Sequence, residues 1–127
     1  MKTIFPIIAI LLGLFATERS SSQTLTNVGA TITVTGGGLM HVSGPTLIKA
    51  GRIDGLDLAR MEFDGPVRIE QGGLYLFKDC FGLITGDLDI TIDGICWRYK
   101  PGVLTVEGTI YNDGELNNDG EIIIGRP

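Results

Sequence analysis

The sequence predicts an all-β protein, a short parallel β-solenoid of about five coils. Glycine supplies 19 of the 127 residues, about twice its usual share of roughly 7%, which indicates many tight corners. Apolar and polar residues alternate in short runs, as they do along β-strands. Near the C-terminal end a six-residue motif repeats without gaps, which favours a coil with short sides over the main alternative, a β-sandwich.

Residues 1–22 have the three-part order of a secretory signal peptide. Lys2 precedes the apolar residues 4–16, and residues 17–22 are polar and end in three small serines. This apolar run is shorter than the roughly 18–20 residues that a helix needs to cross a bilayer. We therefore expect residues 1–22 to be removed on export and residues 23–127 to form the solenoid domain. The mature protein is then secreted or held at the cell surface, without a membrane span.

The next part of the chain consists of alternating runs separated by glycines. The predicted strands contain, in chain order, Ile32 and Val34, then Val67 and Ile69, then Leu88, Ile90 and Ile92. No segment has apolar residues at helical spacing together with a cap and a stop signal. The nearest candidate, residues 56–63, lies between Gly55 and Gly65, and we expect an irregular strand or a single turn there.

The C-terminal part contains the strict repeat. Its aliphatic positions are Leu104, Ile110, Leu116 and Ile122, and its glycines are Gly102, Gly108, Gly114 and Gly120. An antiparallel meander would leave only residues 115–117 as a strand between two turns, which is too short for a stable arm. In a solenoid each hexad instead forms one side of a coil and buries its aliphatic residue. A looser Gly-x-aliphatic pattern upstream, with longer sides, is seen at Ile53, Val67 and Leu88.

Two segments resemble a known group of proteins. Residues 24–34 (TLTNVGATITV) and 108–120 (GTIYNDGELNNDG) are similar to repeat regions of large adhesin-like surface proteins exported by the type IX secretion route. The resemblance implies a parallel β-solenoid at the cell surface with a structural or adhesive role. It implies no catalytic residues.

Composition excludes some partners. The chain has 10 basic and 15 acidic residues and a net charge of -5, which disfavours nucleic-acid binding. A hydrophobic content of 43% with 20% charged residues disfavours disorder. We expect no cofactor and no catalytic residue. His41, the only histidine, has no partner for metal or base chemistry in the sequence around it, and we expect it to face solvent from a strand.

The chain contains two cysteines, Cys80 and Cys96. In an exported protein an even pair predicts a disulfide. Closing a loop of this size stabilises a protein by roughly 3 kcal/mol in the loop-entropy model. The alternative is two buried free thiols.

The best ligand candidate is the segment just before Pro101. Trp97 and Tyr99 lie on one side of the predicted strand, with Arg98 and Lys100 on the other. Aromatic rings beside cations bind sugars or peptides, so we predict a ligand site with Trp97, Arg98 and Tyr99. The alternative is a tryptophan that packs on the protein's own core.

Two acidic groups are candidates for other chemistry. The first is Asp87, Asp89 and Asp93, whose spacing does not match that of a calcium-binding loop. These aspartates alternate with aliphatic residues, which indicates the solvent-facing side of a strand. No metal site is predicted. The second is Asp54, Asp57 and Asp64, the only cluster that could supply the carboxylate pair of a β-helix hydrolase.

Together these features predict a secreted structural or adhesive solenoid. The last unit, residues 122–124, is aliphatic and is followed only by Gly-Arg-Pro, so the sequence shows no polar cap. We therefore expect either self-association through the solenoid ends or a chain that is a fragment of a longer solenoid, with an extracellular glycan or a surface protein as a further partner. The alternatives are a secreted carbohydrate-binding module that uses Trp97 and Tyr99 and, less favoured, a β-helix hydrolase.

Overall fold

A computed structural model describes residues 24–77 and 79–125 as nine strands in one sheet, with every strand pair parallel. The predicted signal peptide lies outside the described residues. The strands are β1 (Leu25–Val34), β2 (Leu39–Val42), β3 (Thr46–Gly55), β4 (Arg60–Phe63), β5 (Val67–Leu76), β6 (Phe81–Ile84), β7 (Leu88–Val106), β8 (Ile110–Asn112) and β9 (Glu115–Ile124). Within this range no helix is long and apolar enough to cross a membrane.

The strand register defines a solenoid of about five coils, as the sequence predicts. Leu25 lies opposite Thr46, Thr46 opposite Val67, and Val67 opposite Leu88, so one complete coil separates each residue from its partner. Leu88 in turn lies opposite Ile110, across a slightly longer coil. Because each strand pairs with the strand one coil later and in the same direction, an antiparallel β-sandwich is ruled out.

Each coil has three sides. Side A contains residues 25–27, 46–48, 67–69, 88–90 and 110–112. Side B contains residues 31–34, 52–55, 73–76, 95–98 and 115–118. Side C contains residues 39–42, 60–63, 81–84, 103–106 and 121–124.

The hexad repeat corresponds to these sides, as expected. Leu104 lies on side C, Ile110 on side A, Leu116 on side B and Ile122 on side C of the next coil. Leu104 and Ile122 are opposite each other, so three hexads complete the last coil. Upstream coils have longer corners and sides, so the strict six-residue spacing is confined to the C-terminal coil.

The core is a set of aliphatic columns inside the coils. Ile48, Ile69 and Ile90 stack on side A, and all three are fully buried. The aliphatic residues of the looser Gly-x-aliphatic pattern, Ile53, Val67 and Leu88, are also fully buried, as predicted. Stacked strands lie about 4.8 Å apart, so each column side chain contacts the equivalent residues above and below it.

The corner between sides A and B depends on stacked glycines. Gly51 and Gly72 both have positive φ, at 104° and 98°, and lie one coil apart. A Cβ atom on Gly72 would overlap the main chain of Gly51. Glycine is therefore required here both for the left-handed backbone and for the close approach of two coils.

Candidate aromatic binding site

The outer surface of side B carries four aromatic residues in the third and fourth coils. Tyr75 and Phe77 come from the third coil, and Trp97 and Tyr99 from the fourth. Alternate residues of a strand point to the same side, and Tyr75 is opposite Trp97 in the register, so the four rings meet. We call this group the aromatic surface.

The four rings pack against one another both along and between coils. The ring centroids of Phe77 and Tyr99 are 5.1 Å apart with nearly parallel planes, at 6°. Trp97 is edge-on to Tyr75 at 6.1 Å and to Tyr99 at 5.5 Å. These separations lie in the favourable range for aromatic pairs. All four side chains are half-buried, so each ring is held in place and keeps an exposed part.

One end of the aromatic surface is closed by Arg52 of the second coil. Its guanidinium carbon lies 4.2 Å from the ring centroid of Tyr75, and its Nε donates to Asp54 at 2.9 Å. The hydrogen bond to Asp54 raises the pKa of Arg52 despite partial desolvation. Gly73 leaves room for the Tyr75 ring, which a Cβ at that position would overlap. Arg52 and Tyr75 therefore form a cation–π contact fixed by a carboxylate.

At the other end, the fifth coil supplies polar groups. The indole N–H of Trp97 donates to the carboxylate of Glu115. The outward residues that follow on the same side are Asn117 and Asp119, and both are exposed. The indole is thus oriented by a hydrogen bond while its ring contacts its aromatic neighbours.

Beside the Phe77–Tyr99 pair lies an open depression of about 530 Å³ at the corner between sides B and C. It is lined by Leu56, Asp57, Phe77, Tyr99, Lys100 and Asp119. Its floor is apolar and aromatic, and its rim carries two carboxylates and one ammonium group. A surface of this kind can bind a ligand that is apolar on one face and rich in hydrogen-bonding groups at its edge.

Arg98, which the sequence places in the ligand set, lies in the interior. As predicted from strand alternation, it points away from Trp97 and Tyr99, and its exposed fraction is 0%. Its Nη1 donates to the carbonyl oxygens of Tyr99 and Gly102, and its Nε and Nη2 donate to Asn118 Oδ1 at 3.3 and 3.2 Å. Desolvation lowers its pKa. Arg98 is therefore a buried structural residue and not part of the aromatic surface.

Tyr75 and Phe77 are members of the aromatic surface that sequence reasoning did not predict. The signal that could have found them is a repeated aromatic-x-aromatic triplet, Tyr75-Leu-Phe77 and then Trp97-Arg-Tyr99, one coil apart. That interval becomes meaningful only when the length of one complete coil is known.

The disulfide prediction is corrected by the structure, in which Cys80 and Cys96 are free and buried thiols. Cys96 lies on side B between Leu74 and Leu116, whereas Cys80 lies at the corner before side C, with its sulfur beside Gly55. The chain between the two cysteines is shorter than one coil, so they do not stack on one another. Burial raises the pKa of Cys80 to about 11 and that of Cys96 to about 12.

These free thiols predict a loss of stability at alkaline pH. Because the folded pKa values lie above the ordinary value of 9.0, the unfolded chain loses thiol protons first as the pH rises above 9. The thiol contribution therefore leaves stability unchanged below pH 9 and lowers it from pH 9 upward. Unfolding titrations of Cys96→Ala should show a shallower alkaline decline than the wild type.

Thiol counting provides the control for this prediction. Both thiols should react with an alkylating reagent in unreduced, denatured protein and remain largely protected in the folded protein. A Cys80–Cys96 cross-link detected by mass spectrometry of the unreduced protein would contradict the free-thiol assignment.

The other predicted candidates are held in separate contacts. His41 is exposed on side C, as expected, and its Nε2 is 3.0 Å from Asp64 Oδ2. Asp54 pairs with Arg52, and Asp57 accepts a hydrogen bond from Thr35. The three aspartates therefore have three different partners. Asp54 lies on side B, Asp57 lies at the corner that follows it, and Asp64 lies after side C.

The first acidic group, Asp87, Asp89 and Asp93, is divided between two separate contacts and a corner. Asp89 pairs with Arg68 of the preceding coil, Asp87 accepts the main-chain N–H of Thr109, and Asp93 is exposed at a corner. In the described part of the chain no three histidine, cysteine or acidic side chains are grouped so that they could hold a metal ion.

Comparison of the chain with protein-family models, with curated proteins and with solved structures found no match. A function is therefore inferred from the fold and from the surface chemistry of this protein.

Proposed function

We propose that the protein is exported and acts at the cell surface as a structural or adhesive solenoid that lengthens by end-to-end association. The observation that carries this proposal is the pair of open strand edges at the two ends of the coil stack. In the described residues β1 and β2 have strand partners on one side only, and so do β8 and β9. Such edges offer main-chain donors and acceptors to another strand.

Partly exposed apolar side chains accompany both edges. Ile124 of the last coil is 63% exposed. In the first coil the inward residues are only partly buried against the core, namely Ile32, Val34 and Met40. In the last coil Leu116 and Ile122 are only partly buried and pack against the core from one side. A further coil stacked on either end would cover these groups and extend the aliphatic columns.

The charge distribution favours head-to-tail stacking. Among the described residues of the last coil, 110–125, the charged side chains are all acidic: Asp113, Glu115, Asp119 and Glu121. In the first coil, residues 24–45, His41 is the only titratable side chain. Two last coils in contact would place like charges opposite one another, which is destabilising. A last coil on a first coil avoids this repulsion and keeps all strands parallel.

The carboxylate geometry of the depression supports binding over hydrolysis. Asp57 belongs to the second coil and Asp119 to the fifth, so they are separated by three coil steps. At about 4.8 Å per step this is roughly 14 Å, whereas the acid pair of inverting glycosidases is about 6.5–9.5 Å apart.

End-to-end association predicts concentration-dependent growth that a charge at the end coil blocks. Sedimentation of the exported protein should show linear oligomers that increase with concentration, and Ile124→Asp should reduce their formation at least tenfold because a carboxylate would be desolvated in the contact. Ile92→Asp is the matched control, since Ile92 is 79% exposed at an outer corner of the fourth coil, which is already paired with the fifth. Unchanged association in Ile124→Asp, or equal loss in both variants, would contradict end stacking. A strictly monomeric wild type at high concentration would do the same.

A further inference from the structure

We propose that the aromatic surface and its adjoining depression bind a neutral polysaccharide, with sugar C–H groups against the exposed parts of Phe77 and Tyr99 and sugar hydroxyls bound by Asp57, Lys100 and Asp119. This inference rests on the extracellular role proposed above and names the chemical class of its ligand. It replaces the smaller site predicted from sequence, because Arg98 is excluded and two further rings are added.

The aromatic side chains are packed against groups of the protein itself before any ligand binds. The four rings stand on consecutive coils of a parallel sheet and contact one another at 5.1–6.2 Å. Arg52 and Glu115 hold Tyr75 and Trp97 from either end. A surface whose side chains are already ordered loses little conformational entropy when a ligand binds.

The depression combines the two kinds of group that a sugar needs. Leu56 and the solvent-exposed parts of the stacked Phe77 and Tyr99 rings give the depression an apolar lining that can contact the C–H groups of a sugar. Hydroxyl groups both donate and accept hydrogen bonds, so they match a rim that has carboxylate acceptors and an ammonium donor. Within the described residues, Lys100 and Asp119 form no ion pair that a ligand would have to break.

The charge of the site disfavours anionic ligands. The rim has two carboxylates and one ammonium group, and the whole chain has a net charge of -5. This balance repels polyanions, including nucleic acids and acidic polysaccharides. A neutral glycan has no such penalty, and a cationic peptide is the rival that the experiment must exclude.

The site is long enough for more than one sugar ring. It runs from Leu56 and Asp57 in the second coil to Asp119 in the fifth, a distance of roughly 14 Å along the solenoid at about 4.8 Å per coil. This length suits an extended chain lying parallel to the solenoid axis.

Trp97 provides a direct reporter, because it is the only tryptophan in the chain and contacts Tyr99. Purified full-chain protein is titrated with neutral hexasaccharides of glucose, N-acetylglucosamine and mannose, and with a panel of neutral plant and bacterial polysaccharides, while tryptophan fluorescence is recorded. We expect a saturable change with at least one of these probes. Phe77→Ala and Tyr99→Ala should each weaken binding about tenfold or more, the loss typical of a central aromatic contact.

Further variants guard against loss of folding. Asp119→Asn and Lys100→Ala alter exposed rim groups and should weaken binding severalfold. Lys100→Ala should do so at an unchanged melting temperature, whereas Asp119 also faces the charge of the buried Arg98. The matched aromatic controls are Phe81→Ala on side C and Tyr111→Ala on side A, which should bind as the wild type does.

The proposal is overturned if no neutral glycan gives a saturable signal, if Tyr99→Ala and Asp119→Asn both bind normally, or if oligolysine binds more tightly than every glycan. The end-stacking test uses residues outside the aromatic surface. If the protein associates end to end but binds no glycan, only the proposed glycan site is contradicted. If it binds a glycan but does not associate, the proposed structural role is contradicted and the glycan site is retained.

Discussion

Gly72→Ala is expected to lower the free energy of unfolding by about 2–5 kcal/mol. A left-handed backbone costs an L-residue roughly 1–2 kcal/mol, and forced overpacking costs roughly 1–3 kcal/mol more. Both apply here, because Gly72 has φ of 98° and an added Cβ would overlap the carbonyl of Gly51 in the coil below. Coils can accommodate this methyl group only by moving apart, which would disrupt the hydrogen bonds between them. Urea unfolding of the purified variant measures the effect.

Gly29→Ala is the matched control for this substitution. Gly29 also has positive φ, at 84°, and lies at the same corner of the first coil, but an added Cβ would have no atom within 4 Å. Gly29→Ala should therefore lower the free energy of unfolding only by the cost of the left-handed backbone, about 1–2 kcal/mol. Equal destabilisation by the two substitutions would show that the close approach of coils at this corner contributes nothing.

Arg98→Ala is expected to destabilise the protein by about 3–5 kcal/mol. The substitution empties the space of a fully buried long side chain and leaves the carbonyl oxygens of Tyr99 and Gly102 without their donor. Asn118 would lose the same partner on the last coil. A thermal unfolding series at neutral pH measures the loss.

Arg98→Met separates packing from hydrogen bonding. Methionine restores most of the volume without donors, and it also removes a charge that is costly to bury. We expect Arg98→Met to be more stable than Arg98→Ala by at least about 1 kcal/mol, the value of the methylene groups restored. If both variants were as stable as the wild type, the buried guanidinium would have no structural role.

Features that depend on local pattern were predictable from sequence. A hexad equals the length of a side, so each successive side carries one aliphatic residue of the repeat, and strand alternation points that residue inward. These residues are Leu104, Ile110, Leu116 and Ile122. For the same reason, strand alternation predicts that Arg98 points to the other face of the strand from Trp97 and Tyr99. The number of coils follows from chain length and side length, and it is confirmed.

Features that depend on contact between coils were not predictable in this way. The disulfide was expected from cysteine count and compartment, but the spacing of Cys80 and Cys96 is not a coil length, so they occupy different columns. Tyr75 and Phe77 precede their ring partners Trp97 and Tyr99 by one complete upstream coil. That coil is longer than three hexads, and the C-terminal repeat gives no indication of the greater length. Hydropathy also gives no reason to place a guanidinium in the core.

The stack of short strands with glycine corners can be inferred from the sequence, because side-chain alternation and tight turning are properties of a few consecutive residues. The union of four rings in one surface, and the position of Arg98 in the interior beneath Asn118, depend on contacts between coils. Neighbours in a solenoid are one coil apart along the chain. The length of a coil depends on how its corners pack against the coil below, as Gly72 does on Gly51, and that packing is absent from any local window of the chain.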